Sequence, residues 1–140
     1  EAMKKYINLA FIYALAGMVA GIFYREFTQF FGYTGETALS ALHTHLFALG
    51  MVMLLVVAVC VKVFPVGPTR LMIWFDFTYN TGLILTVLLL GIRGCLEVVG
   101  TSLSVRGNLV ISGLAGVGHI LLGGGIVLFF LCLKQSKQVD

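Results

Sequence analysis

Residues 38–64 read ALSALHTHLFALGMVMLLVVAVCVKVF. Lys62, close to the end, is the single lysine, arginine, aspartate or glutamate in the run. About 20 mostly apolar residues suffice to carry an α-helix across the roughly 30 Å hydrocarbon layer of a bilayer. The run is therefore a spanning helix, and it holds two histidines, His43 and His45. Three more stretches meet the same criterion, over 6–23, 71–92 and 109–133. The fold class expected is all-α: an integral membrane four-helix bundle formed by one domain over 3–137. Glu1-Ala2, ahead of Met3, reads as an expression remnant. The first apolar run is long enough to span and carries no clear cleavage site, so it reads as retained.

Composition agrees with lipid as the solvent. Of 140 residues, 59% are hydrophobic and 11% charged, and mean hydropathy is +1.03. Water-soluble domains average about 25% charged residues. The net charge is +3, but the basic residues form no stripe interleaved with aromatics, which speaks against nucleic acid as a partner. They flank the apolar runs instead. Lys4, Lys5, Lys62, Arg70, Lys134 and Lys137 fall on one side of the membrane, and Arg25, Arg93 and Arg106 on the other. Cations favour the cytoplasmic side, so both termini are expected there, in a multi-pass membrane protein.

The connections follow from the same pattern. Pro65 and Pro68 mark a short turn between the second and third spans. The first connection, 25–36, carries Phe27, Phe30, Phe31 and Tyr33 as an interfacial aromatic belt. The third, 95–108, is longer and rich in glycine and serine. In the first span Ala10, Ala14, Gly17 and Gly21 form a small-residue stripe that allows close helix packing. Cys60, Cys95 and Cys132 are odd in number and widely spaced, and read as buried thiols.

All three histidines of the chain lie inside the expected spans. An ionisable group in hydrocarbon is expensive and points to function; the plainer reading is hydrogen bonding between helices. Residues two apart on a helix point about 200° apart, so His43 and His45 cannot easily share one small ion. A wide, flat ligand reached from two helices suits them better. Small residues adjoin each histidine: Ala41 and Ala48 near His45, Gly50 two turns from His43, and Ala115, Gly116 and Gly123 around His119, with Gly118, Gly124 and Gly125 close by. They leave room for a porphyrin or simply let helices approach. His43 and His45 should lie on the order of 10 Å inside the boundary, with His119 somewhat deeper. Arg25, Arg93 and Arg106, at the same boundary, could pair with haem propionates or merely snorkel.

Other polar residues read more modestly. Asp76 and Tyr79-Asn80 sit near the cytoplasmic end of the third span, where a hydrated or capping carboxylate outweighs a proton path. Met51 and Met53 read as core filler rather than axial ligands. Glu26, Glu36 and Glu97 read as solvated at the outer surface.

Four segments carry a resemblance: Lys4-Lys5-Tyr6-Ile7-Asn8-Leu9-Ala10, Phe23-Tyr24-Arg25-Glu26-Phe27, His43-Thr44-His45-Leu46-Phe47-Ala48-Leu49-Gly50 and Gly116-Val117-Gly118-His119. They resemble an uncharacterised bacterial family of small four-helix membrane proteins, a domain of unknown function. The His-x-His pair is also similar to the haem-ligating pair of subunit I of haem-copper oxidases and nitric oxide reductases. That subunit has twelve helices in three groups of four, with ligands chiefly on the second helix of each group. The resemblance implies a homotrimer that mimics the twelve-helix subunit, with His43 of one copy and His45 of the next on a shared haem. An alternative pairs His119 with a second-helix histidine inside one chain. No His-x-x-x-Tyr copper-site motif is present, so copper is the lesser candidate.

The function expected is that of a membrane b-type cytochrome. His43, His45 and His119 would hold non-covalent haem b for electron transfer or oxidase-related redox chemistry. The alternatives are a metal or small-molecule transporter and a cofactor-free structural membrane protein.

Overall fold

The structure, a computed structural model, describes residues 1–136. Lys137, counted above among the cations, lies outside the described residues. Four helices, α1 (Ala2–Phe30), α2 (Leu39–Val63), α3 (Arg70–Val99) and α4 (Val105–Lys134), are each long and apolar enough to cross a membrane. An even number of crossings returns both ends of the described chain to one side, here called the terminal face, together with the α2–α3 connection. The α1–α2 and α3–α4 connections lie at the opposite face.

The helices outrun the apolar stretches that announce them. At 25 to 30 residues each they extend roughly 38–45 Å, beyond the hydrocarbon thickness. Arg25, Phe27 and Phe30, expected in the first connection, lie on the last turns of α1. The third connection shrinks from the expected 95–108 to residues 100–104. Hydropathy registers only the part of a helix that sits in lipid, whereas capping residues decide where it stops. Gly100, with φ 79°, terminates α3 in the left-handed conformation that favours glycine. Ser104 Oγ accepts the Gly107 N–H at 3.1 Å to start α4, and Thr69 Oγ1 accepts the Met72 N–H at 3.3 Å to start α3.

The four helices do not pack equally. α2 lies against α1 and α3, and α4 packs along α3. Among the described residues α4 makes no comparable contact with α1 or α2. Glycines set the tightest seam: a Cβ on Gly82 would stand 2.7 Å from the Leu122 backbone nitrogen, and one on Gly125 would stand 2.9 Å from Tyr79 Cβ. The small-residue stripe of α1 serves the same purpose. Ala10, Ala14 and Gly17 are buried, Gly17 against the Phe47 ring. Phe75, Tyr79, Leu83, Leu39 and Leu54 form a fully buried centre, with the Phe75 ring 5.3 Å from those of Tyr79 and Phe129. Much of the remaining apolar surface, including Phe11, Val19, Leu88 and Ile120, faces outward, as lipid permits.

α2 is not uniform. Between its α-helical ends, Leu46–Val52 forms a π-helix. Such segments have i→i+5 bonding and leave carbonyls poorly matched. Tyr79 of α3 donates its hydroxyl to the Leu49 carbonyl at 2.7 Å, and Gly50 lets the Tyr13 side chain approach.

α1 and α3 meet through polar side chains. Asp76 accepts from the Lys5 ammonium and, at 2.7 Å, from the Tyr6 hydroxyl. Tyr13 donates to Asn80 Oδ1 at 2.7 Å, and Asn80 Nδ2 donates to the Asp76 carbonyl at 2.8 Å. Asp76 thus anchors two helices, a larger part than the hydrated or capping carboxylate read from its position. The sequence reading had no means of finding Tyr6, because a helix-to-helix partner 70 residues away leaves no local pattern.

Two outcomes are expected. Gly82→Ala should force α3 and α4 apart and cost about 1–3 kcal/mol, because backbone atoms cannot yield as a side chain can; its melting temperature in detergent should fall. Asp76→Ala should cost about 1–3 kcal/mol by stranding the buried Tyr6 hydroxyl. Lys5→Ala should cost less than about 1 kcal/mol, since the Lys5 side chain is 53% exposed. Equal losses for these two variants in denaturant titrations would contradict this division.

Candidate functional site: an intramembrane histidine layer

Helix registers place the three histidines at nearly one depth. Leu39 abuts Gly94 and Leu42 abuts Gly91, which sets α2 against α3. Gly118 abuts Thr86 and Gly125 abuts Tyr79, which sets α4 against α3. By that register His43 and His45 stand level with the α3 turn near residues 88–90, and His119 stands level with residue 85. The separation is on the order of one helical turn, about 5–7 Å along the membrane normal. His119 is the deeper, as the sequence suggests.

The three imidazoles occupy different surroundings. His43 faces α1: its ring stacks on Tyr24 at 6.3 Å and meets Phe47 edge-on at 6.4 Å, and a Cβ on Gly21 would lie 3.8 Å from it. Its buried Nδ1 has no hydrogen-bond partner among the described residues. His45 is half-buried, and its Nδ1 lies 2.8 Å from the Ala41 carbonyl. His119 is exposed on α4, and its Nδ1 lies 2.7 Å from the Ala115 carbonyl. A carbonyl can only accept, so in His45 and His119 Nδ1 carries the proton and Nε2 is the free nitrogen. The π-helical stretch of α2 begins at the residue after His45.

The glycines near His119 divide between two uses. Gly118 and Gly125 are buried against α3, where they allow close packing. At Gly116, Gly123 and Gly124 a Cβ would meet nothing within 4 Å, so the helix surface beside His119 is clear. Among the described residues no three of His, Cys, Asp and Glu cluster as a metal-binding group, so one chain does not gather its histidines around a single ion.

The arginines also differ. Arg93 donates to Ser112 Oγ at 2.9 Å and shares the α3–α4 seam with His119, lining the same small cavity of about 40 Å³. Arg25 and Arg106 are exposed near the opposite face. Glu26 and Glu36 are exposed as expected. Glu97 corrects the solvated reading: it is half-buried, and its Oε2 accepts the Ala38 N–H at 2.8 Å. A helix start needs acceptors for its free N–H groups, and a carboxylate there also suits the helix dipole. Glu97 and Tyr24 line a cavity of about 540 Å³ at this face, so the His43 stacking partner borders open space. A larger cavity of about 740 Å³ surrounds Lys5 and Asp76 at the terminal face, some 18 Å of α3 from the histidine layer.

Sequence reasoning missed Thr86. It is fully buried in the α3–α4 seam, and its hydroxyl has no hydrogen-bond partner among the described residues. Neighbouring apolar residues hid it, and only the close approach of Gly118 singles it out.

The sequence model of one family matches residues 3–136, and its description is a protein of unknown function, DUF2871. No curated protein and no solved structure matches the chain. With the match running nearly end to end, the chain belongs to the DUF2871 family, whose description leaves its function open.

Proposed function

We propose that the chain is a membrane b-type cytochrome that holds haem through intramembrane histidines. The observation that carries this reading is the pose of His45 and His119. In each, Nδ1–H is held by a carbonyl of its own helix, which fixes the ring and leaves Nε2 with its lone pair. Histidines that ligate metals typically have their second nitrogen tied in this way. A histidine serving only as glue between helices would spend a nitrogen on another helix; these two spend one on their own.

The surroundings fit a porphyrin. The clear surface at Gly116 and Gly123 leaves space beside His119, and Gly21 keeps the α1 side of His43 small. The unpartnered Nδ1 of His43 is a buried polar atom that a ligand would satisfy. Arg93 stands in the His119 seam toward the opposite face, where its guanidinium would meet a propionate; Arg25 and Arg106 lie at the same face. Bound there, haem b would supply one-electron redox chemistry. The chain's own part is to hold the iron between imidazoles, exclude water and neutralise the propionates. With two imidazoles per iron no coordination position stays open, which favours electron transfer over gas reduction.

Assembly completes the reading. The histidines of one chain face different neighbours, and α4 has a side with no partner among the described residues. Three copies in a closed ring would cover that side and bring second-helix histidines of adjacent copies onto shared haems, as cyclic symmetry allows. The bias of lysine and arginine toward the terminal face supports an orientation with that face in the cytoplasm of a bacterial plasma membrane.

An absorbance spectrum of the full chain, produced with ample haem and purified in mild detergent, tests this. A sharp Soret band with resolved α and β bands on reduction, unmoved by carbon monoxide, is expected. His45→Ala should lower the haem-to-protein ratio roughly tenfold or more, and native mass spectrometry should show trimers. A colourless wild-type protein would falsify the reading; coloured monomers would remove only the ring.

A further inference from the structure

We infer that the cavity at the terminal face binds a lipid-soluble molecule whose head is an uncharged ring bearing carbonyl oxygens, a quinone in chemical class. The inference rests on that cavity and not on haem, so a colourless preparation tests it equally well. The cavity, about 740 Å³, lies between the start of α1, the α2–α3 connection and the first turns of α3. Sites for small organic molecules measure roughly 300–1,000 Å³ and combine apolar walls with a few converging polar groups. Here the walls are Val61, Pro65, Val66, Pro68, Met72 and Ile73, and the converging groups are Lys5, Tyr6 and Asp76.

The polar end is fixed in place. Tyr6 is buried and gives its hydroxyl to Asp76 at 2.7 Å. Asp76 also accepts from the Lys5 ammonium, which stands 5.3 Å from the centre of the Tyr6 ring. Hydrogen-bonding capacity and charge then select the ligand. An ammonium carries three N–H donors. Lys5 gives one to Asp76 and, on a side chain 53% exposed, keeps two for an acceptor on the ligand. The Tyr6 hydroxyl proton is already spent. Lys5 and Asp76 cancel in charge, so an ion of either sign meets a like charge within the pair. Glu1, the third charged residue on the border, is exposed and adds to the barrier against anions. A strongly hydrated head would lose its water against walls that are mainly apolar. A carbonyl-bearing ring satisfies both demands, with its oxygens on Lys5 and its faces on the wall. The way in is from lipid: Ile73 borders the cavity and is 64% exposed on a spanning helix. Asp76 lies six residues along α3 from Arg70, about 9 Å, so a head at the pair sits just inside the boundary with its tail leaving past Ile73.

Photolabelling of the full chain in phosphatidylcholine nanodiscs with a short-chain azidoquinone tests the proposal. Label is expected on Val61, Val66, Met72 and Ile73, well above that on the lipid-facing Ile120, which is 75% exposed. Excess unlabelled short-chain quinone should remove it. Lys5→Met keeps an unbranched side chain but removes the donors. At this exposed position it should leave the melting temperature nearly unchanged and weaken quinone binding roughly tenfold or more. Val66→Trp, which fills the cavity from the connection, should bring labelling down to the Ile120 level. Wild-type labelling no higher than at Ile120 would overturn the inference, as would an affinity unchanged by Lys5→Met. Loss of label on adding phosphatidylglycerol or phosphatidylethanolamine to the nanodiscs would overturn it too, by showing that the cavity takes a phospholipid head.

Discussion

Hydrocarbon offers no hydrogen bonds, and this one constraint organises the molecule. Every polar group placed within the span must find its partner in protein, in trapped water or in a bound group. Backbone groups meet the demand by forming helices. Side chains meet it one contact at a time: Asp76 with Lys5 and Tyr6, Tyr13 with Asn80, and Tyr79 with the Leu49 carbonyl. These contacts do more than satisfy atoms. Apolar surface gains little by leaving lipid for another helix, so packing at glycines and polar pairing supply the specificity that hydrophobic burial provides in water. The groups left over after this matching, His43 Nδ1 and the Thr86 hydroxyl, stand out for the same reason.

How much of this was legible in the sequence depended on range. Spanning helices are a local property of composition, so Ala38–Phe64 and its three counterparts announce themselves. Helix ends were less legible. Gly100 and Ser104 lie within a segment that hydropathy treats as connection, and only their capping contacts show that α3 persists to Val99. The histidines could be singled out because an ionisable residue in an apolar run is conspicuous. Their orientations could not: the facing of His43 toward Tyr24 depends on the register of α1 against α2, which one sequence does not carry. Glu97 is instructive in the same way. Beside Arg93 at a membrane boundary it looks solvated, and its bond to Ala38 depends on a pairing between helices 59 residues apart.

The glycines show how one residue type serves two ends. At Gly82, Gly118 and Gly125 the missing side chain is filled by a neighbouring helix. At Gly116 and Gly123 nothing fills it. Glycine lowers helix stability relative to alanine, so an open glycine on a long apolar helix has a cost with no return inside one chain. A further copy or a flat bound group would supply that return.

The π-helical stretch of α2 has a geometric consequence of its own. It accommodates one residue more than an α-helix would between the same two ends, equivalent to roughly 100° of rotation. Straightened into continuous α-helix, α2 would swing His43 away from Tyr24 while Leu54 and Val57 kept their places in the core. The azimuth of both imidazoles is therefore tied to a surplus residue in the stretch that follows them, where the Tyr79 hydroxyl meets the Leu49 carbonyl.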